Sequence, residues 1–335
     1  MQHVSPPSGV VTGIGGLPHR DALEAAKFAL AMEMPSIPQL PRRSPAEGPV
    51  PQALVGMAGI TIGQYGAIGI DADQVDPHAP LYTDLQHDAF VGFRAFLEVA
   101  APQWQPERWV KWQFVGPITL GNALVRAGVP VHDAYECAVG AVRDRMQYLL
   151  EAVQNALPSC RQLVFVEEPE LADLMQYGYP MAPDTAIDLV SGALAAIEPY
   201  AVTGLHVCGL GDIPSQLSTG PAVLSLPAQS EVVEYAGYLN RFMERGGMLA
   251  WGVVATSGPI TTSAERPWRQ LSQVWCDLVQ RGIDPMLLRQ RSLITPECGL
   301  ASHTPSVAAR VFRIATEVGA RVRDQARANH WVLGA

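Results

Sequence analysis

Three residues of the kinds that zinc prefers stand in two short apolar stretches of the sequence. His206 and Cys208 lie in LHVCG at 205–209, and Cys298 lies in ITPECG at 294–299. Successive side chains of a β-strand point to opposite faces, so His206 and Cys208 should share one face, about 6–7 Å apart. One more thiolate from a distant strand would complete a three-ligand zinc site with an open fourth position. We therefore predict a zinc-dependent enzyme that alkylates the thiol of a small molecule.

Other roles stay open for the same three residues. A histidine and a cysteine in an apolar strand also fit simple core packing, because free cysteine is often buried. A closed structural zinc site would need a fourth protein ligand. The nearby candidates for it are Glu231, Gln229 and His303. A disulfide between Cys208 and Cys298 is allowed by geometry but disfavoured in a reducing compartment.

Composition limits the classes of partner. The chain has 335 residues, 48% of them hydrophobic and 16% charged, and this length is sufficient for one large barrel domain. A formal net charge of −9 argues against nucleic acid as a partner. No apolar run approaches the ~18 residues of a membrane span, and the N-terminal stretch lacks the features of a signal peptide. Five cysteines, an odd number, favour a reduced, cytoplasmic protein.

Short apolar runs alternate with longer amphipathic segments, a rhythm typical of βα units around a parallel sheet. Eight runs end in or just before glycine, proline or a polar residue, and eight is the number that a (β/α)8 TIM barrel requires. They are 11–17, 36–40, 110–116, 163–168, 204–208, 223–226, 248–254 and 292–295. Helical patterns cover 20–34 and 133–157, and a last helix begins near Thr304-Pro305. We predict one barrel domain over 1–335, with a hairpin or lid inserted around 53–80.

Ligands of such barrels bind at the carboxyl ends of the strands. Residues with chemical potential stand at or just past the predicted ends: Gly15, Gly16, Glu167, Glu168, His206, Cys208, Ser257 and Cys298. The two adjacent glutamates face opposite ways, so one is expected to have a function, and Glu167 is the preferred candidate. His19, just past the first run, is either a helix-start residue or a catalytic residue at the mouth.

Six stretches, in this order along the chain, resemble the C-terminal catalytic barrel of the cobalamin-independent methionine synthases. That family shares a superfamily with uroporphyrinogen decarboxylase and the corrinoid-dependent methyltransferases. The matching stretches are TGIGGLP at 12–18, VGPITL at 115–120, VEEPEL at 166–171, HVC at 206–208, WGV at 251–253 and TPECGL at 295–300. The histidine–cysteine pair, followed some ninety residues later by proline, glutamate and cysteine, is the most specific of these features.

The resemblance implies that Zn²⁺ is held by the His206, Cys208 and Cys298 side chains. The acceptor, homocysteine in the synthases, binds zinc as a thiolate, since the metal lowers a thiol pKa from about 8.5. Glu167 matches the family's acid that holds the acceptor's amino group, although the family usually has aspartate there. The other implied acceptor-binding positions are Ile14, Gly15 and Gly16 through the backbone, and Glu47 as a second carboxylate.

Departures from the family pattern bear on the methyl donor. This chain has one barrel where full-length synthases have two. The family's fourth zinc ligand falls near Pro227, with Glu231 a few residues on, and Gly16 replaces the serine of the family's glycine–serine pair. Ala255 and Ser257 stand where the family has the aspartate and histidine that help protonate the departing folate. A methylated corrinoid protein is therefore predicted as donor in preference to methyl-tetrahydrofolate, because cleavage of a cobalt–methyl bond needs no proton for the leaving group.

Three competing functions stay open. The first is a thiol-cofactor alkyltransferase of the corrinoid and coenzyme M type. The second is a non-catalytic zinc-binding relative that has lost the donor site. The third is a metal-free decarboxylase of the uroporphyrinogen type, which would need arginines and an aspartate near the first strand. Arg20 and Asp21 are present there, but no arginine-rich motif is.

Overall fold

A computed structural model describes residues 5–332, apart from the side chains of residue 72 and residues 326–332. Residues 1–4 lie outside this range, and they belong to the N-terminal stretch in which we expect no signal peptide. The N-terminal third contains three helices and a hairpin. They are α1 (Ala22–Leu30), α2 (Pro49–Leu54), β1 (Ile60–Ile62), β2 (Ile68–Ile70) and α3 (Val91–Ala100).

Six parallel strands form a curled sheet in sequence order. They are β3 (Trp109–Val115), β4 (Arg161–Glu167), β5 (Val202–His206), β6 (Val223–Pro227), β7 (Met248–Val254) and β8 (Ser292–Pro296). Each lies within one or two residues of a predicted run, so these six predicted strands are confirmed. The α/β class with a parallel sheet is confirmed with them.

At least one helix follows every strand of this sheet, as parallel pairing requires. The helices are α4 (Pro117–Ala127), α5 (Val131–Ala156), α6 (Pro183–Ile197), α7 (Ile213–Ser218), α8 (Ala236–Glu244), α9 (Glu265–Gln280), α10 (Pro285–Gln290) and α11 (Pro305–Val332). Short 3₁₀ helices are Pro45–Glu47, Ala72–Gln74, Asp88–Phe90, Ala101–Gln103, Pro169–Asp173 and Ser230–Tyr235. The predicted helices 20–34, 133–157 and the one starting near Thr304-Pro305 correspond to α1, α5 and α11. None of the described helices is long and apolar enough to cross a membrane.

The strands are apolar on both faces because each face packs against a different core. In β4, Val164 and Val166 belong to the large core shared with the helices, whereas Leu163 and Phe165 belong to a small inner cluster. This alternation follows from the period of two in a strand. Glu167 has the same parity as Leu163 and Phe165, so its side chain belongs to the inner face.

The two edges of the sheet are linked by extended segments where the first two strands were predicted. Each segment forms only one isolated bridge, Val11 with Ile294 and Ser36 with Lys111, so the runs 11–17 and 36–40 are not regular strands. Glycine at positions 13, 15 and 16 and proline at 35 and 38 interrupt the ladder. Backbone hydrogen bonds complete the links: Thr12 N to Ile294 O (3.1 Å), Met34 N to Val11 O (3.0 Å) and Ile37 N to Lys111 O (2.8 Å).

The predicted insertion contains the β1–β2 hairpin, whose strands pair from Ile60 with Ile70 to Ile62 with Ile68. Arg145 of α5 holds this region, since its guanidinium donates to the carbonyls of Ala53 (3.4 Å), Val55 and Tyr82 (3.0 Å). The hairpin is thus confirmed, while its role as a lid stays a prediction, as does the extent of the single domain.

Candidate metal centre

The three predicted metal ligands converge at the carboxyl end of the sheet. His206 is the last residue of β5, Cys208 follows two residues later, and Cys298 stands just past β8. Their ligand atoms all lie within 4.8 Å of one another, and His206 Nε2 is 3.4 Å from Cys208 Sγ. One imidazole and two sulfurs facing a common point form a donor set suited to zinc.

Cys208 and Cys298 are joined in a disulfide, which differs from the free thiols expected from the sequence. The physical reason is proximity, because the two Cα atoms are 6.2 Å apart, within the range that a disulfide spans. Tetrahedral zinc holds its two thiolates about 3.8 Å apart, a separation that side-chain rotation can reach from the same backbone. The residues therefore fit a zinc ion once the cysteines are reduced.

A serine orients the imidazole of this cluster. Ser225 Oγ of β6 lies 3.0 Å from His206 Nδ1, which leaves Nε2 to face Cys208. Burial, assisted by the charge of Lys111, lowers the pKa of His206 to about 3. The ring is therefore neutral at physiological pH, which is the form that binds metal. A partner on the second ring nitrogen is the usual way in which proteins fix a histidine ligand.

Ser225→Ala is expected to weaken zinc binding by about 10- to 100-fold, because loss of an outer partner frees the imidazole to rotate. Competition with a chelating dye measures the affinity. Ser230→Ala is the matched control, since Ser230 is exposed and its hydroxyl donates to Glu231, which does not belong to the cluster. Equal affinities in the two variants would show that Ser225 does not orient the ligand.

The predicted acceptor loop lies directly against the loop of Cys298. Gly15 adopts a left-handed backbone with φ of +66°, and a Cβ placed there would lie 2.7 Å from Gly299 N and closer still to Gly299 Cα. Leu300 N donates to Gly16 O at 2.9 Å. The two loops can therefore touch only because positions 15 and 299 are both glycine. Ile14, in the same loop, is buried in the inner cluster.

Glu167 stands at the end of β4, in register with His206 on the neighbouring strand. The residue is 7% exposed, and within the described part of the chain its carboxylate accepts no hydrogen bond. Burial raises the pKa of Glu167 and lowers that of Lys111, and each charge opposes the shift of the other. An unpartnered carboxylate beside the three predicted metal ligands is available for a cationic group of a ligand.

Glu168 has a different environment, on the outer side of the sheet. Its carboxylate accepts from Ile118 N (2.8 Å), Thr119 N (2.8 Å) and Thr119 Oγ1 (2.7 Å) at the start of α4. It thereby satisfies amide groups that the first turn of a helix leaves free. Gly116 is required beside it, since the carboxylate occupies the place of a Cβ. Of the two adjacent glutamates, this one secures the helix and Glu167 faces the site.

Glu168→Gln is expected to lower the free energy of unfolding by about 1–3 kcal/mol at pH 5, and by less at pH 8. Burial raises the Glu168 pKa from its ordinary 4.5 to about 7, against the lowering effect of its hydrogen bonds. The associated stability is therefore present below pH 4.5 and is lost as pH rises through 7. Urea unfolding at both pH values measures it, and a larger loss at pH 8 would contradict the assignment.

Several other predicted residues lie apart from the cluster. Glu47 is fully buried, where it pairs with Arg43 and accepts from Leu40 N and Gly92 N, both at 3.2 Å. His19 packs against Phe28, with ring centroids 5.0 Å apart. The acceptor-binding role of Glu47 and the catalytic role of His19 stay predictions.

The three candidates for a fourth ligand are engaged or exposed. Glu231 is exposed. Gln229 Nε2 donates to Glu297 Oε1 at 2.8 Å, and His303 Nε2 lies 2.8 Å from Thr256 O. Within the described chain, the cluster of possible ligands contains only the three residues predicted.

Sequence reasoning missed two residues of the site, Ser225 and Lys111. Both lie inside apolar runs, LSLP and VKWQFV, where a polar residue is an exception. In a strand, a polar residue that alternates in step with the residues of the inner face is the signal that points to them.

Comparisons with known proteins agree at the level of fold. No protein-family model matches the sequence, and no curated protein is significantly similar to it. A similar solved structure is that of a Listeria monocytogenes protein with the provisional name vitamin-B12-independent methionine synthase. The identity is 12% and the TM-score 0.58, over 94% of this chain and 98% of that chain. At this identity the likeness concerns the fold alone.

Proposed function

We propose that this protein is a zinc-dependent methyltransferase that methylates the thiol of a small acceptor, with homocysteine as the preferred acceptor and methionine as product. The observation that carries the proposal is the meeting of His206, Cys208 and Cys298 at one point from two distant strands. An imidazole and two thiolates leave a fourth position for a ligand sulfur. The fold shared with a protein named as a methionine synthase supports the same chemistry.

The proposed function also includes a proposed fold, a closed barrel. We infer a (β/α)8 barrel in which the segments around Val11 and Ser36 take the places of the first two strands. Their hydrogen bonds to β8 and β3 link the two edges of the six-stranded sheet, which supports a closed ring. A barrel of this kind carries its active site at the carboxyl ends of the strands, where the cluster lies.

Each residue of the site has a defined task in the proposed reaction. Zinc, when bound, supplies the Lewis acidity that keeps the acceptor thiol deprotonated at neutral pH. Ser225 fixes the imidazole of His206, and Glu167 binds the ammonium group of the acceptor. The contact of Gly15 with Gly299 keeps the acceptor loop beside Cys298. Catalysis then comes mainly from orientation of the sulfur in line with the methyl group.

A methylated corrinoid protein is the proposed donor. Ala255 and Ser257 follow β7, and neither side chain can serve as a strong proton donor at neutral pH. Transfer from a folate amine needs a proton for the leaving nitrogen, whereas transfer from cobalt leaves an electron pair on the metal and needs none.

The test is methyl transfer by the reduced, zinc-loaded protein. Methylcobalamin and homocysteine are expected to give methionine, with about one zinc per chain by atomic absorption. Methyl-tetrahydrofolate in place of methylcobalamin is expected to give little product. A reduced protein that takes up no zinc would overturn the proposal, as would zinc uptake without any alkylation of a thiol.

A further inference from the structure

We propose that Lys111 is a specificity-determining residue of the acceptor site, and that its ammonium group receives the anionic group of the acceptor thiol. The inference rests on the proposed function, because it assumes that the cluster holds a metal and an acceptor sulfur. It adds a residue to which the family resemblance assigned no role.

Lys111 has an unusual position for a lysine. The chain has 21 arginines and only two lysines, Lys27 and Lys111, and the second is fully buried in β3. Its Nζ bonds to Gln113 Oε1 and lies 5.3 Å from the ring centroid of Phe165. An ammonium group has three donors, so two of them lack an acceptor among the described residues. A buried ammonium group with unused donors costs free energy unless a partner accepts hydrogen bonds from them.

Lys111 and Glu167 face the same interior without contact. None of the ion pairs among the described residues includes either of them, although each charge acts on the other through space. The field of Lys111 also reaches His206. A ligand with an ammonium and a carboxylate would satisfy both groups, the ammonium at Glu167 and the carboxylate at Lys111.

One of the three backbone positions expected to bind the acceptor, Gly15, already uses its N–H group. Gly15 N donates to Gln113 Oε1 at 3.0 Å, and Gln113 is held in turn by its Nε2 bond to Gln39 Oε1 at 3.1 Å. Gln113 Oε1 thus accepts from both Gly15 and Lys111. Gly15 N is thus occupied, and the spare donors of Lys111 are suited to an anionic group of the acceptor.

A third unpartnered group points to the same interior. Thr295 is fully buried on β8, three residues before Cys298, and its hydroxyl has no hydrogen-bond partner among the described residues. It has the parity of Leu293, which belongs to the inner cluster. Buried hydroxyl groups without partners are rare in folded proteins, so a polar ligand in this interior accounts for Thr295 as well as for Lys111.

The experiment compares three thiols by calorimetry on the reduced, zinc-loaded full chain. Homocysteine carries both charges, 4-mercaptobutyrate only the carboxylate, and 3-aminopropanethiol only the ammonium group. Lys111→Met is expected to weaken binding of the two carboxylate thiols at least tenfold and to leave 3-aminopropanethiol unchanged or tighter. Lys27→Met, at an exposed position of α1, is the matched control and should change none of the three affinities.

The outcomes separate the two proposals. Equal losses for all three thiols, or no loss for any, would overturn the role of Lys111 while the proposed function stands. Failure of the wild-type protein to bind zinc or any of the thiols would overturn both. Lys111→Gln is a second variant if the methionine variant folds poorly, since its amide can still bond to Gln113, and the same pattern of losses is expected.

Discussion

Replacing Cys298 with serine is expected to weaken zinc binding by several hundredfold and to abolish methyl transfer. A serine hydroxyl stays protonated at neutral pH and is a poor zinc ligand, so the site would keep only His206 and Cys208. Zinc bound by four ligands in small folded sites is worth roughly 10–16 kcal/mol, or about 2.5–4 kcal/mol for each ligand, which corresponds to a loss on the order of 100- to 1,000-fold. Cys208→Ser should behave in the same way.

Metal content after dialysis and chelator competition measure this loss, and methionine formation measures the activity. All samples are reduced first, because Cys208 and Cys298 are paired in the structure. Cys276→Ser is the matched control, since Cys276 is an exposed free thiol on α9 that does not belong to the cluster. Full activity in the Cys298 variant would defeat the proposed mechanism, whatever the metal content.

The His206 and Cys208 pair of the candidate cluster could be predicted because its information is local. The spacing of His206 and Cys208 puts both on one face of any strand, and this is what β5 and its following residues provide. The convergence of Cys298 is a long-range fact. The order of the βα units places the ends of β5 and β8 at one edge of the sheet, and the resemblance to the methionine synthases implied that Cys298 joins the other two ligands there.

Three features could not be obtained in this way. The runs 11–17 and 36–40 are apolar enough for strands, but their glycines and prolines limit pairing to single bridges, a competition that hydrophobic pattern alone does not resolve. Glu167 could be preferred over Glu168 for the site, but the sequence does not show that Glu168 binds the amides at the start of α4. Partners such as Ser225 depend on strand register, which the sequence does not state.

Gly15→Ala is expected to lower the free energy of unfolding by about 2–4 kcal/mol, the sum of left-handed strain and steric overlap. The added methyl would meet the backbone of Gly299, which cannot move without shifting Cys298 beside it. Zinc affinity and acceptor affinity are therefore expected to fall together. Urea unfolding gives the stability of the metal-free protein, and chelator competition gives the zinc affinity.

Gly178→Ala separates the two contributions, because Gly178 also has a positive φ (+84°), but no atom of the described residues lies within 4 Å of its Cβ position. The free energy of unfolding of this variant should fall only by the cost of the backbone conformation, about 1 kcal/mol, and its zinc affinity should not change. The excess loss in Gly15→Ala then measures the contact of the acceptor loop with the Cys298 loop. If the two variants lose equal stability and both retain zinc, that contact does not position the metal ligand, and Gly15 is required only for its turn.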